Sequence, residues 1–142
     1  MTTETPLARM VEYDEADARV RAVYDDILES KGIAAVPNFW KTIASHPPLL
    51  EDVWGNVKRA MQPGRLDSLT KEMIAIAVSA AHNCDYCLNS HTAAARALGL
   101  DDEMLGELMD VVGAFSRTNK LANAYQVPVD AHLKAAARGG RP

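Results

Sequence analysis

Apolar residues recur along this chain at intervals of three and four, the period of an α-helix. Over residues 14–31 (DEADARVRAVYDDILESK), Ala18, Val20, Ala22, Val23, Ile27 and Leu28 fall mainly along one helical face. Acidic residues gather at the start of that stretch, and Gly32 stands where a C-terminal cap is favoured. Pro37 and the Pro47-Pro48 pair punctuate the next segment, which predicts a short helix near 38–45 and a longer one near 48–61. Pro63-Gly64 marks a turn. From Ser68, a plausible N-cap, SLTKEMIAIAVSAAHN is nearly all apolar or small, as expected of a helix buried in the centre of the molecule. CDYCLNSHTAAARALGL predicts a further helix that stops at Gly99. Asp101-Asp102-Glu103 then opens another, which NKLANAY extends or follows. The tail, residues 127–142, contains Pro128, ends in ARGGRP and is expected to fray. No alternating strands joined by Asn-Gly or Asp-Gly turns are visible, nor any repeat or low-complexity tract. The expected fold class is all-α.

At 142 residues the chain is one domain's worth of sequence, residues 1–142, which leaves no room for a second core. Hydrophobic residues make up 48% and charged residues 24%, as in an ordinary globular domain, and this excludes a disordered chain. No apolar run approaches the roughly 18 residues of a membrane-spanning helix. The opening MTTETPLARMVEYDEADARV lacks a basic region followed by an apolar stretch. With 15 Lys+Arg against 19 Asp+Glu, the net charge of −4 leaves no electrostatic footprint for nucleic acid. The expectation is a cytoplasmic protein with neither a membrane nor a nucleic acid as partner.

The 2 cysteines exclude a disulfide-framed scaffold, and they sit together as Cys84 and Cys87. On a helix, Cys84, Cys87 and His91 are spaced i, i+3 and i+7, so they share a face, with Cys84 and His91 about 20° apart. A cysteine at a helix start meets unpaired N–H groups and the positive dipole end, which favour thiolate there. Glu72 leads into the apolar helix, where a carboxylate is costly unless it is partnered. If the chain turns near His82-Asn83, the two helices run antiparallel. Glu72 lies ten residues before His82 and His91 nine after it, so the fold-back brings them level. A thiol, a base and an orienting acid are the parts of an activated nucleophile. Two other readings stand beside this one. In the structural reading the cysteines are small buried residues and the polar pair is incidental. In the zinc reading Cys84, Cys87 and His91 are three ligands, with Glu72 or His82 as a fourth, although structural zinc sites usually join two separate ligand pairs. A thioredoxin-type site needs a βαβ context that this chain lacks.

The pattern Glu72-x11-Cys84-x2-Cys87-x3-His91 resembles the signature of the alkylhydroperoxidase D-like proteins, within the carboxymuconolactone decarboxylase superfamily. The likeness runs through residues 68–99 and, more loosely, over PNFWKTIASHPPLLEDVW, a stretch reminiscent of the peroxidase-related members. The resemblance implies an all-α, homo-oligomeric thiol peroxidase (a dimer, trimer or hexamer) that reduces organic hydroperoxides. An antiparallel helix pair would carry the Glu and the CxxC-x3-His motif. Cys87 would be the peroxidatic cysteine and Cys84 the resolving one, giving a Cys84–Cys87 disulfide, with His91 and Glu72 as the proton relay. The helix-start argument points the other way, to Cys84 as the more acidic thiol. An external thiol or lipoyl-type dithiol would supply electrons, and neither cofactor nor metal is implied. The other branch of the superfamily, with decarboxylase or ring-opening lyase activity, typically lacks this cysteine pair. A redox-sensing helical module that uses the disulfide as a switch is a further alternative.

Tyr86 and His82 are accessory candidates. The best-known members of the family have a histidine where Tyr86 stands. A phenol can hold a peroxide oxygen by hydrogen bond but is a poor base near neutral pH, so the difference bears on rate and preferred peroxide. His82, at the proposed turn, is better suited to capping or solvent. Phe39, Trp40 and Trp54 are expected in a core or subunit interface rather than along a peroxide channel. His46 and His132 have no thiol or acidic companions nearby and are assigned nothing.

Overall fold

The computed structural model describes residues 5–139, and its elements among them are seven α-helices and a 3-10 turn, with no strand. The chain divides into two compact units, Met1–Gly64 and Arg65–Pro142. The buried apolar side chains form two clusters, one within each unit.

In the first unit, a 3-10 turn (Tyr13–Glu15) precedes α1 (Ala18–Lys31), followed by α2 (Asn38–Ile43) and α3 (Pro47–Met61). The expected helix start at residue 14 is therefore corrected to Ala18. The cause is local: the Asp17 carboxylate accepts from Val20 N–H at 2.9 Å and caps the helix there, leaving Asp14 and Glu15 in the 3-10 turn. Gly32 ends α1 in the left-handed conformation, φ 62°, as its position predicts. Pro47 and Pro48 occupy the start of α3, where a missing N–H costs nothing. The core is built on Tyr24, Ile27 and Leu50, all fully buried. Trp40 and Trp54 join it edge to face at 5.3 Å, and Phe39, partly exposed, meets Trp40 at 5.0 Å. Trp54 resolves its one polar atom by donating from Nε1 to Asp26 at 2.7 Å.

The second unit holds α4 (Ser68–Ala81), α5 (Asp85–Ala97), α6 (Asp102–Ala124) and α7 (Ala131–Ala137). Its buried centre is Ile76, Ala95 and Leu100, with Met73, Leu88, Met104 and Leu108 packed against it. Three expectations are corrected here. Asp67, not Ser68, caps α4, because its carboxylate reaches Thr70 N–H at 2.7 Å and Ser68 becomes the first helical residue. Nor is α4 buried all round: Ile76 is sealed, but Ile74 and Val78 are 49% and 53% exposed. Within this chain α5 and α6 cover only part of it. The tail contains α7, over the alanine-rich AHLKAAA. Residues 140–142, which close the expected fraying stretch, lie outside the described residues. The NKLANAY segment extends α6 as far as Ala124, and Asp101 caps that helix by accepting from Met104 N–H at 2.8 Å. No helix among the described residues is long and apolar enough to cross a membrane.

Candidate functional site

The link between α4 and α5 is only three residues, His82–Cys84, and its geometry follows from Asn83. This residue adopts φ 57°, a left-handed conformation that asparagine tolerates better than most side chains. With Asn83 turned this way, Asn83 N–H bonds the Ala80 carbonyl at 3.3 Å and Cys84 N–H reaches back to Ser79 at 3.0 Å. The last carbonyls of α4 are thereby satisfied and the chain reverses at once. His82 closes the same helix end, its Nδ1 standing 2.9 Å from the Val78 carbonyl. Here it caps α4, the role its position in the sequence favoured.

Cys84 is extended, with φ −96° and ψ 91°, and serves as the N-cap of α5 rather than its first helical residue. Its Sγ accepts from Cys87 N–H at 3.2 Å. Sulfur is an unusual N-cap; serine, threonine, aspartate and asparagine are the ordinary choices. The two cysteines are joined as a disulfide, with Cα atoms 5.3 Å apart. Because Cys84 stands just outside the helix, the single-face argument holds within α5 only for Cys87 and His91. These are one turn apart, i and i+4, and so neighbours on the helix surface.

Reversal at Asn83 lays α5 back along α4, and the expected levelling of Glu72 with His91 occurs. His91 Nδ1 and Glu72 Oε2 lie 2.7 Å apart, with side chains 28% and 12% exposed. An ionised carboxylate only accepts, so Nδ1 carries a proton in this contact, and in the neutral imidazole that leaves the Nε2 lone pair for another partner. Glu72 thus fixes both the orientation and the tautomer of His91. Beneath the pair, α4 and α5 pack through Ile76 and Ala95, both fully buried, which holds the two backbones in register. Tyr86, between the two cysteines, is 44% exposed. Sequence reasoning located the turn but missed the left-handed Asn83 and the sulfur cap. The signal for both was the run His-Asn-Cys-Asp, in which a residue tolerant of positive φ precedes a side chain able to accept a hydrogen bond.

This all-helical arrangement, with its cysteine pair and carboxylate-anchored histidine, has known counterparts. Residues 47–130 match the carboxymuconolactone decarboxylase family, and the chain belongs to it. Among solved structures it resembles the crystal structure of the alkylhydroperoxidase AhpD core from Rhodospirillum rubrum. The two are 41% identical with a TM-score of 0.87, covering 92% of this chain and 98% of that one. No curated protein matches the chain. The expected alkylhydroperoxidase D-like membership and all-α fold are therefore borne out, and the fold and cysteine pair together support a peroxidase-related role.

Proposed function

We propose that this protein is a thiol-dependent peroxidase that reduces organic hydroperoxides through a Cys84–Cys87 dithiol/disulfide cycle. The observation that carries the reading is the Glu72–His91 hydrogen bond on the helix pair that also bears the CxxC disulfide. In the reduced protein, Cys87 thiolate attacks the terminal oxygen of the hydroperoxide. The O–O bond breaks, the alkoxide leaves and takes a proton to become the alcohol, and Cys87 becomes a sulfenic acid. Cys84 thiolate then attacks the Cys87 sulfur, forming the disulfide and expelling hydroxide, which takes a proton from His91 to leave as water. Thiol–disulfide exchange with an external dithiol restores the two thiols and leaves the carrier oxidised.

His91, one turn from Cys87, is the base that removes the thiol proton and the acid that delivers one to the leaving alkoxide. Glu72 stabilises the imidazolium formed in between. The resolving role of Cys84 follows the family resemblance, whereas the Cys87 N–H directed at its sulfur favours thiolate on Cys84 and by itself would make it the more acidic of the two. His82 and Tyr86 are accessory: the first caps α4, and the second stands between the cysteines, where its phenol can hold a peroxide oxygen. The reading requires neither metal nor cofactor, and the physiological reductant is a small or lipoyl-type dithiol in the cytoplasm.

Steady-state consumption of cumene hydroperoxide with dihydrolipoamide as reductant tests the reading. Many turnovers per chain, abolished in Cys84→Ser and in Cys87→Ser, are expected. A single turnover that dithiol cannot repeat would instead make the protein a redox switch. Unchanged turnover in both variants would remove the cysteines from the chemistry.

A further inference from the structure

From Glu72 to Ala95, through the turn and both cysteines, the charged side chains are Glu72 and Asp85, with neither lysine nor arginine among them. The cations nearest along the chain, Lys71 and Arg96, sit at the far end of the helix pair from the disulfide, and Arg96 is paired with Asp102. Glu72 is taken up by His91. Asp85 is not occupied in this way. It is the first residue of α5, directly after Cys84, and it is exposed. Among the described residues no cation pairs with its carboxylate. Its backbone is fixed, because Asn89 Nδ2 donates to the Asp85 carbonyl at 2.8 Å. The helix ends beside it offset each other, since the negative C-terminus of α4 and the positive N-terminus of α5 meet at the three-residue turn. Glu107 and Asp110, on the half of α6 that packs with α4, are acidic too. The disulfide therefore stands in a negative field whose exposed source beside it is Asp85.

We infer that Asp85 is a specificity-determining residue for the electron donor, admitting uncharged dithiols to the disulfide and turning anionic ones away. The inference rests on the dithiol cycle proposed above and names the class of donor for it. In the exchange, one donor thiolate attacks a sulfur of the Cys84–Cys87 bond and expels the other as thiolate. The donor's second thiol then closes on the first and expels the remaining cysteine, so the donor leaves as a cyclic disulfide and its two protons pass to the cysteines. Every donor attacks as a thiolate, and Asp85 resists that charge equally in each. A donor that also carries a carboxylate brings a second negative charge to the same exposed spot, and this is what separates the two kinds. A dithiol whose acid group is tied up as an amide, as on a macromolecular carrier, meets the requirement. Free dithiol acids and thiol peptides of net negative charge do not.

The test follows reduction of the oxidised full chain, without peroxide, by dihydrolipoamide and by dihydrolipoate at about pH 8, where an ordinary histidine is neutral. Each rate is divided by that of the same donor with a small uncharged disulfide. At low ionic strength the amide is expected to be about three-fold faster, the size of effect that one repulsive unit charge beside an exposed site produces. The ratio should hold in Asp85→Glu, fall close to one in Asp85→Asn and in strong salt, and invert in Asp85→Lys. A change in the turn alone would slow both donors together and leave the ratio where it was. Equal rates in wild type, or a preference for the amide that Asp85→Asn leaves unchanged, would overturn the inference. Because no peroxide is present, a chain that shows the donor preference but never turns over hydroperoxide would sink the proposed function and leave this inference standing.

Discussion

His91 Nδ1 lies 2.7 Å from Glu72 Oε2, across 19 residues of sequence and from one helix to the next. The contact exists because Asn83 reverses the chain at once, so that positions ten before and nine after His82 come level. Its chemical consequence is a histidine held in one tautomer, with Nε2 presented to a partner. Glu72→Gln keeps an acceptor for Nδ1–H but removes the charge that balances an imidazolium. Peroxidase turnover is expected to fall about 10²-fold, the lower end of what a positioned acid–base group contributes. Far-UV circular dichroism should be unchanged. Turnover within two-fold of wild type would show that the pair is structural.

Asn83 makes a prediction about stability rather than chemistry. At φ 57° a β-branched side chain is strained, so Asn83→Val is expected to cost about 1–2 kcal/mol in urea unfolding. Asn83→Gly should be close to neutral, because glycine adopts this conformation freely. The two variants together separate backbone strain from loss of the asparagine side chain.

Tyr24 lies at the centre of the first unit, fully buried, with its hydroxyl donating to the Val11 carbonyl at 2.8 Å. Burial, helped by the Glu12 carboxylate, pushes the phenol up to about 12 from its ordinary 10.0. The neutral form is therefore the one the fold favours. Its contribution is complete below pH 10 and is lost as pH rises through about 12. Wild-type stability should fall more steeply than that of Tyr24→Phe over this window, followed by thermal melts. Near neutral pH the variant should be less stable by about 1 kcal/mol, the cost of leaving the Val11 carbonyl without its partner.

The helical period of the sequence located α1 to α6, because each has a stripe that must be buried and a cap or proline at its ends. Boundaries were harder where two capping residues adjoin. Asp67 and Ser68 both can cap, and only the path of the chain decides whose oxygen reaches an N–H three residues on. The α7 segment carries the strong helix former alanine, but the signals of Pro128 before it and Gly139-Gly140 after it outweighed that propensity. The nearly continuous apolar run in α4 suggested burial on every side, yet apolar composition reports a need for cover and not the source of it. Ile74 and Val78 remain about half exposed among the described residues, at 49% and 53%. The site itself was more legible than the fold around it. The spacing of Glu72, Cys84, Cys87 and His91 carries the family likeness, and the Glu72–His91 contact follows from that spacing once the turn is placed. What spacing could not show was Cys84 leaving the helix to cap it, since that depends on the single backbone conformation of Asn83.

The central claim, that Cys84 and Cys87 are the redox couple, is tested most directly by counting free thiols on reduced protein before and after one equivalent of cumene hydroperoxide. The count is made with Cys84→Ser and Cys87→Ser alongside, each probed for sulfenic acid. The account predicts rapid loss of both thiols per wild-type chain, with sulfenic acid trapped only where Cys87 is retained. Trapping on Cys84 alone would keep the couple and reverse the two roles. Survival of both thiols after the peroxide is added would contradict the account.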